Sequence, residues 1–451
     1  MKAKTERQAE SYQRRTERGA ALVTTLLIST LLLAAGLSVV MSTSLSSTTA
    51  IDSAAEMQAY SGAEAGIEAT LNALRGNVNP DSSLAGTSMN FRNAARPDTS
   101  NNTTDPKRSG SGAEARLSGW LNYTYQVTND WRVPVTASYT PVSGIAFKIT
   151  ISDPDDSGPI ATRRIMTDPN YNPERLLIHS EGYGPKGARK KLEMIVRNSA
   201  FEFSPAAPVS LFGEPAIFDL GTSSSVDYSG VDLAPSPKPS LPTFAVSSGD
   251  IGTAQGVVDG MGAGQVTPSG VVSSDNTLPY LASGDAARTF LGVLRALAAI
   301  TPAGNRVFAS QAAADAAGGL GTPTAPKTTF IDNYGTGATP GPPVTLGSGP
   351  QGAGMLIVTG ELETNGNTDF EGIIFVLGRG KITRSGGGDG LLQGAFVVAN
   401  FDPNGAPGSG FGSPTYSISG GGTSTVAYDS EAVRRALELT GVKVVGVREH
   451  H

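Results

Sequence analysis

The stretch "GMLIVTGELETNGNTDFEGIIFVLG", residues 354–378, holds the same short pattern twice, and a third copy follows in "GAFVVAN", residues 394–400. Each copy is a glycine, an unbroken apolar run and a closing Gly or Asn. The starts, Gly354, Gly372 and Gly394, lie 18 and 22 residues apart. Apolar runs without alternation predict strands buried on both faces, as in a parallel sheet. A unit of this length that recurs predicts successive rungs of a solenoid, where each rung buries its face only against its neighbours. The intervening turns are rich in Gly, Asn and Asp, which tolerate positive φ. Residues 344–451 are therefore expected to form a short parallel β-helix, with an antiparallel sandwich as the alternative.

The flanks are read outward from that repeat. "GEPAIFDLG", from Gly213, is a weaker copy inside a Pro/Gly-rich region, 201–343, expected to hold partial β rungs and one helix. That helix lies in "SGDAARTFLGVLRALAAIT", capped by Ser283 or Asp285, with Phe290, Leu294 and Leu297 on one face. A second helix, capped by Asp429 or Ser430 and stopped at Gly441, is expected to cap the solenoid. His450 and His451 end the chain as a frayed tail.

Residues 120–200 alternate instead. "GIAFKITISD" places Phe147, Ile149 and Ile151 on one face. "RLLIHSEGYGPKGARKKLEMIVRN" reads as a hairpin whose second arm points Leu192, Met194 and Val196 one way. A small antiparallel β module is expected here. Residues 76–119, rich in Pro, Asn, Ser and Gly, read as a linker.

Composition narrows the class. Charged residues make up 16% of 451, there are 56 glycines, and the net charge is -6. Sparse charge with much Gly, Ser and Thr suits β-rich exported architecture, and no basic patch offers counterion release to a nucleic acid. There is no cysteine, hence no disulfide framework and no thiolate metal site.

The N-terminal segment decides the compartment. No charged residue lies between Arg18 and Asp52, and Ala20 to Met41 has about the ~20 residues needed to cross hydrocarbon. A secretory signal has a shorter apolar region, ~7–15 residues, and a small-x-small end. Lys2, Lys4, Arg7, Arg14, Arg15 and Arg18 all precede the segment, so the N-terminus is expected in the cytoplasm and the bulk exported. Helical text then continues through Ile67, Leu71 and Leu74 to a C-cap at Gly76. A simple anchor does not need this amphipathic second half, which predicts lateral helix packing. The expected fold class is mixed: a long N-terminal membrane and stem helix, 20–75, followed by a β-rich exported region.

"RGAALVTTLLISTLLLAAGLSVV", followed by "AYSGAEAGIEATLNAL", is similar to the N-terminal region of PilX-type minor pilins of type IV pilus machinery, and to K-type minor pseudopilins of type II secretion. The resemblance covers about residues 15–75. It implies a basic leader, 1–19, removed by a prepilin peptidase between Gly19 and Ala20. It implies a stem that packs beside other pilin-like subunits, with Thr24, Glu56 and Glu64 among its assembly residues. Most major pilins carry Glu where this chain has Thr24. An ionised carboxylate in a membrane needs a partner, so Thr24 implies a minor or initiating subunit. The implied location is the inner membrane, then the periplasm or a cell-surface filament after assembly.

No catalytic residues are expected. "GYGPKG", residues 182–187, fits a dinucleotide loop by pattern only, because the text after it alternates as a strand. "DPDDSG" gathers Asp153, Asp155 and Asp156 in a turn, but Arg164 stands where a calcium loop needs its bidentate Glu. A solvated turn is the ordinary reading, and calcium in another loop geometry is the alternative cofactor. His179 has no partner pattern for a metal site or a serine triad. Arg379, Lys381, Arg384 and Asp389 share one glycine-rich turn, as in β-helix polysaccharide lyases. The expected function is a non-enzymatic pilin-like subunit. The alternative is a membrane-tethered β-helix protein that binds or cleaves surface polysaccharide.

Overall fold

An unbroken helix runs from Lys2 to Leu74, because no proline occurs before Pro80 and the text is rich in Ala and Leu. A computed structural model of the chain describes residues 2–75, 91–96, 123–126, 131–134, 144–221, 226–301, 304–337, 339–347, 349–419 and 423–450. At 1.5 Å per residue, the helix is roughly 110 Å long. The expected C-cap at Gly76 and the expected linker fall outside the described residues, except for a short helix, Phe91–Ala95.

The C-terminal half of the long helix lies on a six-stranded antiparallel sheet. Its strands, in spatial order, are Tyr123–Gln126, Trp131–Pro134, Ala146–Ser152, Arg175–Tyr183, Arg189–Arg197 and Lys443–His450. The alternation read from the sequence gives the packing. Phe147, Ile149, Ile151, Leu192, Met194 and Val196 face Ile67, Ala73 and Leu74 of the helix, with Phe91 closing the end. These parts form the stem module.

The second body, residues 198–442, contains parallel sheets. Its central strands, Gly349–Val358, Thr368–Gly378 and Leu391–Asn400, pair in parallel register with Gly354, Gly372 and Gly394 side by side. Those glycines have φ of +113°, +134° and +128°. A Cβ on Gly372 would lie 1.9 Å from the Gly354 carbonyl oxygen, and one on Gly394 would lie 1.9 Å from that of Gly372. Only glycine fits this column.

Consecutive strands alternate between two sheets. Val344–Leu346, Glu361–Asn365, Lys381–Ser385 and Thr415–Ile418 pair in parallel to form a five-stranded sheet, which the weak copy Ile217–Asp219 completes. The longer strands between them belong to a twelve-stranded sheet. Leu356, Ile374, Val398, Leu362, Ile382 and Tyr416 fill the space between the two. The opposite face of the larger sheet is covered by two helices, Gly284–Ala299 and Ser430–Glu438, through Phe290, Leu294, Val433 and Ala436. Burial on both faces accounts for the unbroken apolar runs. The parallel register rules out an antiparallel sandwich for these strands.

Two expectations are corrected. The helix Ser430–Glu438 lies on the flank of the strands Gly349–Asn400, where its strongly one-sided apolar residues meet the sheet. Residues 443–450 are also no frayed tail of a 344–451 unit, and His451 falls outside the described residues. Lys443–His450 returns to the stem module as the edge strand beside Arg189–Arg197, with Lys443 opposite Arg197 and His450 opposite Lys191. Branched Val444 and Val447 suit that strand. Residues 198–442 are therefore an insertion between two neighbouring strands of the antiparallel sheet.

Candidate functional site

The candidate site is the stem helix, and its two halves differ in what surrounds them. Every residue from Ala20 to Ala54 is exposed, including Leu22, Leu26, Leu31, Leu32, Leu33, Val39 and Val40. Among the described residues this is the one helix long and apolar enough to cross a membrane. The hydroxyls of its apolar stretch, Ala20 to Met41, bond within the helix. Thr24 Oγ1 donates to the Ala20 and Ala21 carbonyl oxygens at 2.8 and 3.0 Å. Thr25 donates to Ala21 at 2.8 Å, Ser29 to Thr25 at 2.7 Å and Ser38 to Ala35 at 2.8 Å. Such bonds satisfy the hydroxyl hydrogens of these residues inside the helix, as hydrocarbon requires.

From Ala55 onward the helix is bound to the sheet by small residues. Ala55, Ala59 and Ala63 are buried at four-residue spacing, followed by Ile67 and Thr70. Opposite them stand Gly182 and Gly184. A Cβ on Gly182 would lie 2.0 Å from the Ala59 carbonyl oxygen and 2.2 Å from the Ala63 nitrogen. One on Gly184 would lie 2.3 Å from the Ala55 carbonyl oxygen. The "GYGPKG" stretch is thus a hairpin end, with Gly184 N–H donating to Ala188 at 2.9 Å, and a strand follows it. Its first two glycines permit backbone-to-backbone approach of helix and sheet.

Charged pairs flank this contact. Lys186 Nζ lies 3.5 Å from Asp52, and Lys190 Nζ lies 3.0 Å from Glu449 and 3.7 Å from Glu56. The hydrogen bond and charge of Glu449, then those of Glu56, hold the Lys190 ammonium above its ordinary pKa. Exposed pairs of this kind are screened by water and contribute little, so they orient the hairpin more than they hold it. Glu64 is exposed on the outward face, and Gly19 and Ala20 lie within the helix. The structure thus brings Glu56 to the hairpin and leaves Thr24 and Glu64 free for other surfaces. The alanine stripe and the two glycines were the unread part, and their signal was the shared spacing of small residues.

The other candidates do not converge. Asp153 accepts from the Asp155 N–H at 2.8 Å and from the Tyr171 hydroxyl at 2.5 Å. Burial, then Asp153, push the Tyr171 hydroxyl pKa well up. Asp155 pairs with Arg175 at 3.0 Å, and Asp156 accepts from the Arg164 N–H at 2.5 Å. The three carboxylates are each turned to a different donor of the chain. Among the described residues, no group of three or more His, Asp or Glu could hold a metal ion. His179 Nδ1 lies 3.0 Å from Glu193, its cross-strand neighbour, and Arg448 reaches the same carboxylate from the next strand.

The glycine-rich turn is also dispersed. Arg379 donates to the Tyr334 and Gly337 carbonyl oxygens at 3.1 and 2.8 Å. Lys381 pairs with Glu361 at 2.8 Å, while Arg384 is buried.

No protein family, curated protein or solved structure matches this chain.

Proposed function

We propose that this chain is a non-enzymatic pilin-like subunit, inserted in the inner membrane by its stem and presenting residues 198–442 outside. One observation carries the reading: a single helix with a bare apolar half and a second half bound to a small antiparallel sheet. The bare half supports membrane insertion and, once the subunit is assembled, packing against other stems. Six basic residues before it support a cytoplasmic start. The reading includes removal of residues 1–19 by a prepilin peptidase between Gly19 and Ala20. Thr24, neutral and bonded within its own helix, supports a minor or initiating position, since it supplies no charge to a neighbouring subunit. The alternation of consecutive parallel strands between two sheets supports a solenoid winding for the presented part.

The test is mass spectrometry of the native N-terminus in a host that has the peptidase. A mature chain beginning at Ala20 is expected. Intact Met1 would refute the assignment.

A further inference from the structure

The inserted module leaves the stem module at Arg197–Asn198 and returns at Val442–Lys443. These residues are neighbours, because Lys443 pairs with Arg197. The two bodies keep separate apolar cores on either side of this neck. Among the described residues, the side-chain bonds that cross between them come from Arg197 at the neck, which pairs with Glu202 at 2.5 Å and donates to the Ser199 carbonyl oxygen at 3.2 Å, and from one loop of the stem module, residues 168–174. Asp168 accepts from the Ser236 hydroxyl at 2.6 Å, and Glu174 accepts from Lys238 Nζ at 2.7 Å. Asn172 Nδ2 donates to Glu438 Oε1 at 2.8 Å. Glu438 also accepts from Asn198 Nδ2, at the neck, and from Arg434 on its own helix. Arg92 braces the loop from behind, donating to the Asp168 carbonyl oxygen at 2.7 Å and to the Ile165 carbonyl oxygen at 3.0 Å.

Packing around the neck is incomplete. Two clefts of about 530 and 550 Å³ open beside it, and Asn198 and Glu438 line both. Walls of the first come from both bodies: Glu174 and Arg197 from one, Phe203, Leu241 and Tyr428 from the other. An interface without a shared apolar core, bridged by polar contacts, permits relative motion of the two bodies. The Lys238–Glu174 pair is more than half exposed on both sides, so it holds little. The Glu438 carboxylate accepts from Asn172 of the loop, from Asn198 at the neck and from Arg434 of its own helix, so one acceptor joins the loop to the neck and the inserted module.

We infer that the neck is a hinge, and that Glu438, gripped by Asn172 and Asn198, is the latch that holds the inserted module against loop 168–174. Release of the latch lets the presented module swing on the stem without unfolding either core.

The absence of cysteine makes the test direct. Spin labels on cysteines at Thr150, exposed on the sheet, and Val293, exposed on the inserted module's helix, report the distance between the bodies in the full chain in detergent. The parent is expected to give a narrow distribution. Glu438→Ala should widen it about twofold, because the released bodies then sample several relative orientations. Glu438→Gln, which keeps an acceptor for the two asparagines, should stay narrow. Asn172→Ala added to Glu438→Ala should widen it no further. Hydrogen exchange in Arg175–Arg197 and Gly349–Asn400 should be unchanged in all variants. A parent that is already broad, or a Glu438→Ala distribution that stays narrow, overturns the latch. Broadening together with lost exchange protection in either core also overturns it, because Glu438 would then be holding a fold.

Discussion

Gly182→Ala tests whether the stem is held by backbone contact. The added methyl would sit 2.0 Å from the Ala59 carbonyl oxygen, 2.2 Å from the Ala63 nitrogen and 2.9 Å from the Gly62 carbonyl carbon. All three are backbone atoms of one helix, so no side chain can rotate out of the way. Reaching ordinary contact near 3.4 Å requires the helix to lift by over ~1 Å, opening the interface along Ala55, Ala59 and Ala63. Overpacking alone costs about 1–3 kcal/mol, and the loosened contacts add to it, so roughly 3 kcal/mol is expected. For a module of this size each kcal/mol moves the midpoint by about 4–8 °C, so the stem-module transition should fall by about 12–24 °C. Thermal unfolding of the full chain in detergent, followed by hydrogen exchange in Arg175–Tyr183, reads that transition apart from the inserted module's. Gly36→Ala is the matched control, since nothing lies within 4 Å of its added methyl. A Gly182→Ala transition within a couple of degrees of the parent's would refute close helix-sheet approach as the source of cohesion.

Two further outcomes concern the inserted module. Gly372→Ala places a methyl 1.9 Å from the Gly354 carbonyl oxygen at φ +134°, so a loss above about 3 kcal/mol is expected. Circular dichroism of the β signal should show it, and a parent-like melt would contradict the glycine column. Asp232 accepts from the Ser430 N–H and hydroxyl and from the Lys238 and Ala234 N–H groups. Burial pushes its carboxyl up, but those hydrogen bonds outweigh it and hold the pKa below the ordinary value of 3.8. A depressed carboxylate stabilises above its unfolded pKa, and the contribution disappears as pH falls through the folded value. Asp232→Asn should therefore cost about 1–3 kcal/mol at pH 7, with the gap to the parent closing below about pH 4. A gap independent of pH in urea unfolding would reject the charged role.

The parallel strands were legible because three glycines preceded apolar runs too continuous for a one-sided sheet. The stem was legible from length and charge spacing. What escaped reading depended on partners far away in sequence. "KVVGVREH" has strand character, but nothing local says that it pairs with residues 189–197, some 250 positions earlier. Ala59 and Ala63 carry too little apolar weight to mark a buried face, yet both are fully buried. The spacing of Gly182 and Gly184 could not distinguish approach by a helix from approach by a phosphate. In "DPDDSG" the sequence shows three carboxylates but not that each is turned toward a donor of its own chain.

The neck also has a mechanical meaning. Arg189–Arg197 and Lys443–His450 are antiparallel, and both leave the sheet at the same end to reach the insertion. Tension on the presented module, with the stem fixed, pulls the two strands along their own axes in one direction. The ladder between Arg189–Arg197 and Arg175–Tyr183 is then loaded in shear, with all its hydrogen bonds strained together instead of peeled one at a time.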